Sequence, residues 1–219
     1  MGTPLDPWLS QEPSSNPAAR QRALEAARAE LALQRPVRPW RLQALGLFAV
    51  SVALTACVAG VLLGAGRTSG AQLAVHAPVL GLLWACGAVC AWGALAPRGR
   101  GLVGGGVALA VGTAAVLVLA RGAGDGETVL PSWVCTAGHV ALGLVPLGVA
   151  GVMLRAAAFR PSRALLAGLS AGTTGAFVGE LACTQDWRHV LLYHLPAWAL
   201  VALATLVLSR WLTPRSFAP

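Results

Sequence analysis

Six long apolar runs separated by short polar connections follow a polar opening stretch, residues 1–41. The runs span Leu42–Gly66, Ala71–Ala96, Gly101–Ala120, Val134–Leu154, Ala164–Leu181 and Val190–Leu208. Each is close to the ~20 residues that a helix rising about 1.5 Å per residue needs to cross a hydrocarbon core about 30 Å thick. A soluble domain of 219 residues has no means of burying six such stretches. A bilayer does, because each helix satisfies its own backbone hydrogen bonds. The pattern predicts an all-α membrane protein: a six-helix transmembrane bundle over 42–212 and a polar tail over 213–219.

The opening stretch is too short for a core of its own. Residues 1–16 are rich in Pro, Ser and other small or polar residues, which predicts disorder. Residues 17–34 then carry a helix signal. Ser15 or Asn16 can cap, Pro17 suits the first turn, and Ala18–Gln34 consists largely of strong helix formers. Arg22–Glu25 and Glu25–Arg28 are candidate i,i+3 ion pairs. Leu24, Ala27 and Leu31 fall on one face, with Leu33 to its side, so this is a short amphipathic helix with a narrow apolar stripe. Such a helix is insecure alone in water. It either lies on a lipid surface or completes its apolar contacts on a partner.

Charge orients the bundle. The chain has 16 arginines and no lysine. With an even number of crossings both termini share a side, and 13 of the arginines fall there; the other side holds Arg67, Arg121 and Arg188. The positive-inside rule puts both termini in the cytoplasm of a bacterium, with the bundle in the inner membrane. It also accounts for the +8 net charge without direct nucleic-acid binding. No secretory h-region opens the chain, so the first crossing is expected to remain as an uncleaved anchor.

Within the runs, Trp40, Trp133, Trp187 and Trp211 fall at predicted boundaries, whereas Trp84, Trp92 and Trp198 are expected to pack. Gly60/Gly64, Gly101/Gly105, Gly168/Gly172 and Gly175/Gly179 share the spacing that lets helix backbones approach. Pro78, Pro146 and Pro196 lie inside crossings, as kinks or as breaks of the kind transporters use. No charged residue lies near a segment centre, which argues against an ion or substrate pathway.

Five cysteines are present. Cys57, Cys86 and Cys90 lie within apolar runs, where a small buried thiol is the ordinary outcome. Cys135 and Cys183 are expected at the outer ends of the fourth and fifth crossings, in an oxidising compartment. His139 follows Cys135 by one turn; Glu180, Asp186, His189 and His194 flank Cys183, and His76 opens the second crossing on the same side. These groups could form a redox or metal-sensing site at Cys135, Cys183, His139 and His189, or simply hydrogen-bond across helix ends. There is no Gly-x-Ser-x-Gly, His-Glu-x-x-His or phosphate-binding loop, so a non-enzyme is expected. A thiol–disulfide oxidoreductase would normally show a paired Cys-x-x-Cys.

The helix of residues 17–34 runs into Leu33-Gln34-Arg35-Pro36-Val37-Arg38-Pro39-Trp40-Arg41. This resembles the leucine and Arg-Pro-Val-Arg-Pro element of the NrsF-like family of six-helix bacterial membrane anti-sigma factors. Ser132-Trp133-Val134-Cys135, Ala182-Cys183-Thr184-Gln185-Asp186 and Trp198 resemble further landmarks of that family, in the same order. The family often has His before the second cysteine, where Ala182 stands here, which puts in doubt any metal role that His would carry. Size and the Arg/Ala-rich sequence look like the branch that regulates light-induced carotenoid synthesis.

The resemblance implies a membrane anti-sigma factor. Its cytoplasmic arm would hold an extracytoplasmic-function sigma factor inactive through Leu24, Ala27, Leu31, Leu33, Arg35, Pro36, Val37 and Arg38. Release would follow a signal, with a regulatory membrane protein or protease as its agent. Some members look like sensors through outward-facing cysteines. No cofactor is implied, and without lysine no retinal Schiff base can form. A small membrane transporter and a membrane thiol oxidoreductase are the rival readings.

Overall fold

The structure, a computed structural model, describes residues 16–33, 39–97, 100–122, 131–154 and 160–211. It divides into two units, Met1–Val37 and Arg38–Pro219.

In the first unit, helix α1 spans Pro17–Leu33. The Asn16 side chain accepts from the backbone N–H groups of Ala18 (3.1 Å) and Ala19 (3.3 Å), so Asn16 is the cap. Every described side chain of this helix is exposed, Leu24 at 50%. The Arg22–Glu25 and Glu25–Arg28 pairs are not among the ion pairs of the described residues, which are His76–Glu180 and Arg121–Glu180. Arg22 donates instead to the Ala18 carbonyl, 3.2 Å away. Exposed pairs on a lone helix gain too little to hold two long side chains in place. The expected contact residues Arg35, Pro36, Val37 and Arg38 lie outside the described residues, as do the side chains of Leu31 and Leu33 and all but Asn16 of the stretch 1–16 expected to be disordered.

The second unit consists of α2 (Trp40–Gly64), α3 (Gly70–Leu95), α4 (Arg100–Ala120), α5 (Trp133–Leu154), α6 (Pro161–Ala182) and α7 (Trp187–Trp211). All six are long and apolar enough to cross a membrane, and the protein is an all-α, multi-pass membrane protein. Local chemistry sets several ends. Gly66, at φ +66°, is the only described residue in the left-handed region and makes the turn after α2. Ser69 and Gln72 form a reciprocal capping box at the start of α3. Pro161 occupies the first turn of α6.

Helix α6 is the centre of the bundle. Buried positions make up 83% of its apolar stretch, against 17% to 39% in the other five. It touches all of them, packing most against α3, α5 and α7. Its glycines explain how. A Cβ on Gly168 would lie 2.5 Å from the Cα of Ala202 in α7, and one on Gly175 would lie 2.5 Å from the carbonyl oxygen of His139 in α5. Gly172 receives the Trp198 ring, and Gly179 the His194 ring. Polar atoms on this helix find partners across the same interfaces: Ser170 Oγ donates to the Gly87 carbonyl (2.8 Å), and Trp198 Nε1 to that of Leu169 (2.8 Å).

The two other glycine pairs correct the sequence reading. Gly60, Gly64, Gly101 and Gly105 have no atom within 4 Å of where a Cβ would stand. They lie on the outward sides of peripheral helices, where no second backbone approaches. Trp40, Trp133, Trp187 and Trp211 do begin or end helices. Trp198 is buried, and Trp92 packs edge-on against Trp40. Trp84, expected to pack, is partly exposed, yet it stacks on Phe177 at 5.1 Å and donates to Thr55.

Candidate functional site

The residues singled out around Cys135 and Cys183 meet at one end of the bundle, where α3, α5 and α7 begin and α4 and α6 end. Two adjoining constellations are built there.

The first is ionic. Glu180, in the last turn of α6, is buried at 6% exposure. Its carboxylate accepts from Arg121 Nη2 (2.9 Å) and Nε (3.3 Å), and it meets His76 Nδ1 at 2.8 Å. Arg121 also donates to the carbonyls of Glu180 (3.0 Å), Cys183 and Gln185. The last carbonyls of a helix have no intrahelical donor and sit at the negative end of its dipole. One guanidinium just past α4 therefore neutralises a buried carboxylate and caps the central helix. Replacing Glu180 with Ala should leave Arg121 without its counter-charge. Breaking a buried pair in this way costs about 3 kcal/mol, read as a fall on the order of 10 °C in Tm. Glu180→Gln keeps an acceptor and should fall less. An unchanged Tm for Glu180→Ala in detergent would show that the pair contributes nothing.

The second constellation is formed by Cys135, Cys183, His189 and His194. One donor atom from each lies within 4.8 Å of all the others. Cys135 comes from the first turn of α5 and is half-buried; Cys183 is the residue that ends α6 and is buried. His189 and His194, both 6% exposed, come from the start of α7. All five cysteines of the chain are free thiols, these two included.

Three of the four expected sensory residues, Cys135, Cys183 and His189, are thus brought together. His139 is not. Its Nε2 lies 3.0 Å from the Gly172 carbonyl, its ring packs on Gly175, and it meets the His194 ring at 6.1 Å. It is a packing residue between α5 and α6. His194 takes its place in the cluster, for a reason local to the chain. Val190–His194 is a π-helical turn, in which Leu195 N–H bonds to the Val190 carbonyl five residues back. Residues five apart diverge on an α-helix but stack in a π turn. Pro196, with no N–H to donate, follows immediately and leaves the preceding turn free to widen. Asp186 caps the start of α7, accepting from the His189 N–H at 3.0 Å.

Both histidines keep an unpartnered nitrogen. His189 Nε2 and His194 Nε2 are buried without a hydrogen bond, although most buried polar atoms have one. Two thiols and two imidazoles are the donors that borderline-soft divalent metals prefer. Beside the cluster, Arg121, His139, Glu180, His194 and Trp198 help to line a cavity of about 10 Å³, room for roughly one water.

Against known proteins, the chain is 54% identical over 215 residues to the carotenogenesis protein CarR of Myxococcus xanthus. The alignment covers 98% of this chain and 97% of the relative. No family model matches, so the NrsF-like resemblance has no support from that comparison, and no solved structure matches.

Proposed function

Because this chain belongs to the family of the carotenogenesis protein CarR, we propose that it is a membrane anti-sigma factor that regulates carotenoid synthesis. The near end-to-end relationship is the observation that carries the reading. Residues 1–41 act as a cytoplasmic arm that holds an extracytoplasmic-function sigma factor at the bacterial inner membrane, away from RNA polymerase. Leu24, Ala27, Leu31, Leu33 and Arg35–Arg38 make the contact. The exposure of Leu24 and Ala27 on α1 supports this, since apolar side chains on one helix face are what a docking helix presents to a partner.

The protein is a regulator and not an enzyme. The relationship to a carotenogenesis protein over nearly the whole chain supports that reading over a transporter or a thiol oxidoreductase. The decisive experiment is affinity purification of the detergent-solubilised full chain. A sigma factor should co-purify, and its absence from cells that express both proteins would remove the proposal.

Orientation has its own test. A reporter active only in the periplasm should be silent when fused after Pro219 and active when inserted at Gly124. The 13-to-3 arginine asymmetry motivates this. The reverse result would put the arm out of reach of any cytoplasmic partner.

A further inference from the structure

The geometry points to a structural zinc site at Cys135, Cys183, His189 and His194, which clamps the adjoining ends of α5, α6 and α7. It does not rest on the anti-sigma reading. Four donors converge within 4.8 Å from three helices, two thiols and two imidazoles without a carboxylate among them. Closed four-coordinate Cys₂His₂ sets are the structural type of zinc site.

Zn–S distances of about 2.3 Å and Zn–N distances of about 2.0 Å imply tetrahedral edges of roughly 3.3–3.8 Å. Inward movement on the order of 1 Å, within rotamer adjustment, closes the present cluster onto an ion. The second observation is the pair of orphaned imidazole nitrogens. His189 and His194 are each 94% buried, and each leaves its Nε2 without a hydrogen bond, as the neighbouring His139 leaves its Nδ1. A buried donor or acceptor left so is destabilising, and an ion that accepts its lone pair removes that cost. The π turn points the same way, since it puts two imidazoles five residues apart beside the two thiols.

Bound zinc would hold both sulfurs as thiolates and join the end of α6 to the starts of α5 and α7, across the non-helical residues 183–186. Arg121, which donates to the Cys183 carbonyl, then lies beside a ligand and ties the ionic constellation to the metal.

The test uses the full-length protein purified in detergent without chelator. Elemental analysis should find about one zinc per chain, as a closed four-ligand site requires. Exchange with Co²⁺ should give visible d–d bands and a thiolate-to-cobalt charge-transfer band. Cys135 and Cys183 should resist a membrane-impermeant thiol reagent until a chelator removes the ion. Cys135→Ser with Cys183→Ser should lose the zinc, while Cys57→Ser keeps it. The cobalt spectrum and the labelling of the unaltered protein decide the matter even if that double variant fails to fold. Zinc well below one per chain together with no charge-transfer band would overturn the site. So would a Cys135–Cys183 disulfide in the freshly purified protein, copper in place of zinc, or zinc retained undiminished by the folded double variant.

Discussion

Cells carrying Leu24→Asp with Leu31→Asp are expected to express the sigma factor's target genes permanently, whatever the inducing condition. The Asn16 cap and the strong helix formers of α1 shape it locally, and its described side chains are all exposed. Helical spacing puts Leu31 seven residues after Leu24 on the same side. Burying a leucine on a partner is worth about 1.5–3 kcal/mol, and an aspartate there adds a desolvation cost. Two substitutions should therefore weaken binding by about 5 kcal/mol, on the order of several thousand-fold. Neither residue belongs to a membrane-spanning helix, so insertion and abundance should be normal. The measurement is sigma-dependent transcription at matched protein abundance. If transcription stays repressed, α1 is not the docking element, and the search moves to the connections that carry Arg98–Arg100 and Arg155–Arg163.

A comparable effect, on stability this time, is expected from glycine to valine changes in α6. Gly168→Val would drive a Cβ to 2.5 Å from Ala202 Cα, and Gly175→Val would drive one to 2.5 Å from the His139 carbonyl oxygen. Both obstacles are backbone, which cannot rotate away, so α5 and α7 must be pushed off the central helix. Overpacking costs about 1–3 kcal/mol per site where side chains can yield, and more where they cannot. The double variant should lose about 4 kcal/mol or more, a large share of a typical folding stability of about 5–15 kcal/mol, so its monodisperse fraction should fall clearly below that of the unaltered chain. Gly60→Val and Gly105→Val, with nothing within 4 Å, are the controls and should behave as the unaltered chain. Size-exclusion chromatography in detergent reads the monodisperse fraction. Wild-type elution and abundance for Gly168→Val/Gly175→Val would show that the close approach at α6 is dispensable.

Those four glycine pairs also mark how far a sequence can be read. All share one spacing, yet two sit in the tightest helix contacts of the molecule and two face outward. The helical period of 3.6 states which residues share a face of one helix; it does not state which way that face is turned. The same gap explains the histidines. His139, one turn from Cys135, lies on the expected face but is claimed by α6, through the Gly172 carbonyl and the Gly175 surface. His194 was visible as a neighbour of Cys183, yet α-helical spacing separates it from His189, and only the π turn before Pro196 brings the two together. Arg121 counted in the sequence as one of three stray positive charges. Its role as the partner of Glu180 depends on α4 ending beside the end of α6.

What the sequence by itself determined is whatever depends on length and on position along a single chain. That includes the number and extent of apolar helices, a cap at Ser15 or Asn16 and the Pro17 start of α1, the helix-end tryptophans, and the gathering of Cys135, Cys183 and most of the polar groups around them at one end. These follow from the bilayer's thickness and the backbone's need for hydrogen bonds, which act on each segment separately. Tertiary structure alone decided which helix is central, which glycines are contacts, and which four donors converge. Each of those depends on how helices rotate and cross against one another, and that is settled by side-chain shape at several interfaces together.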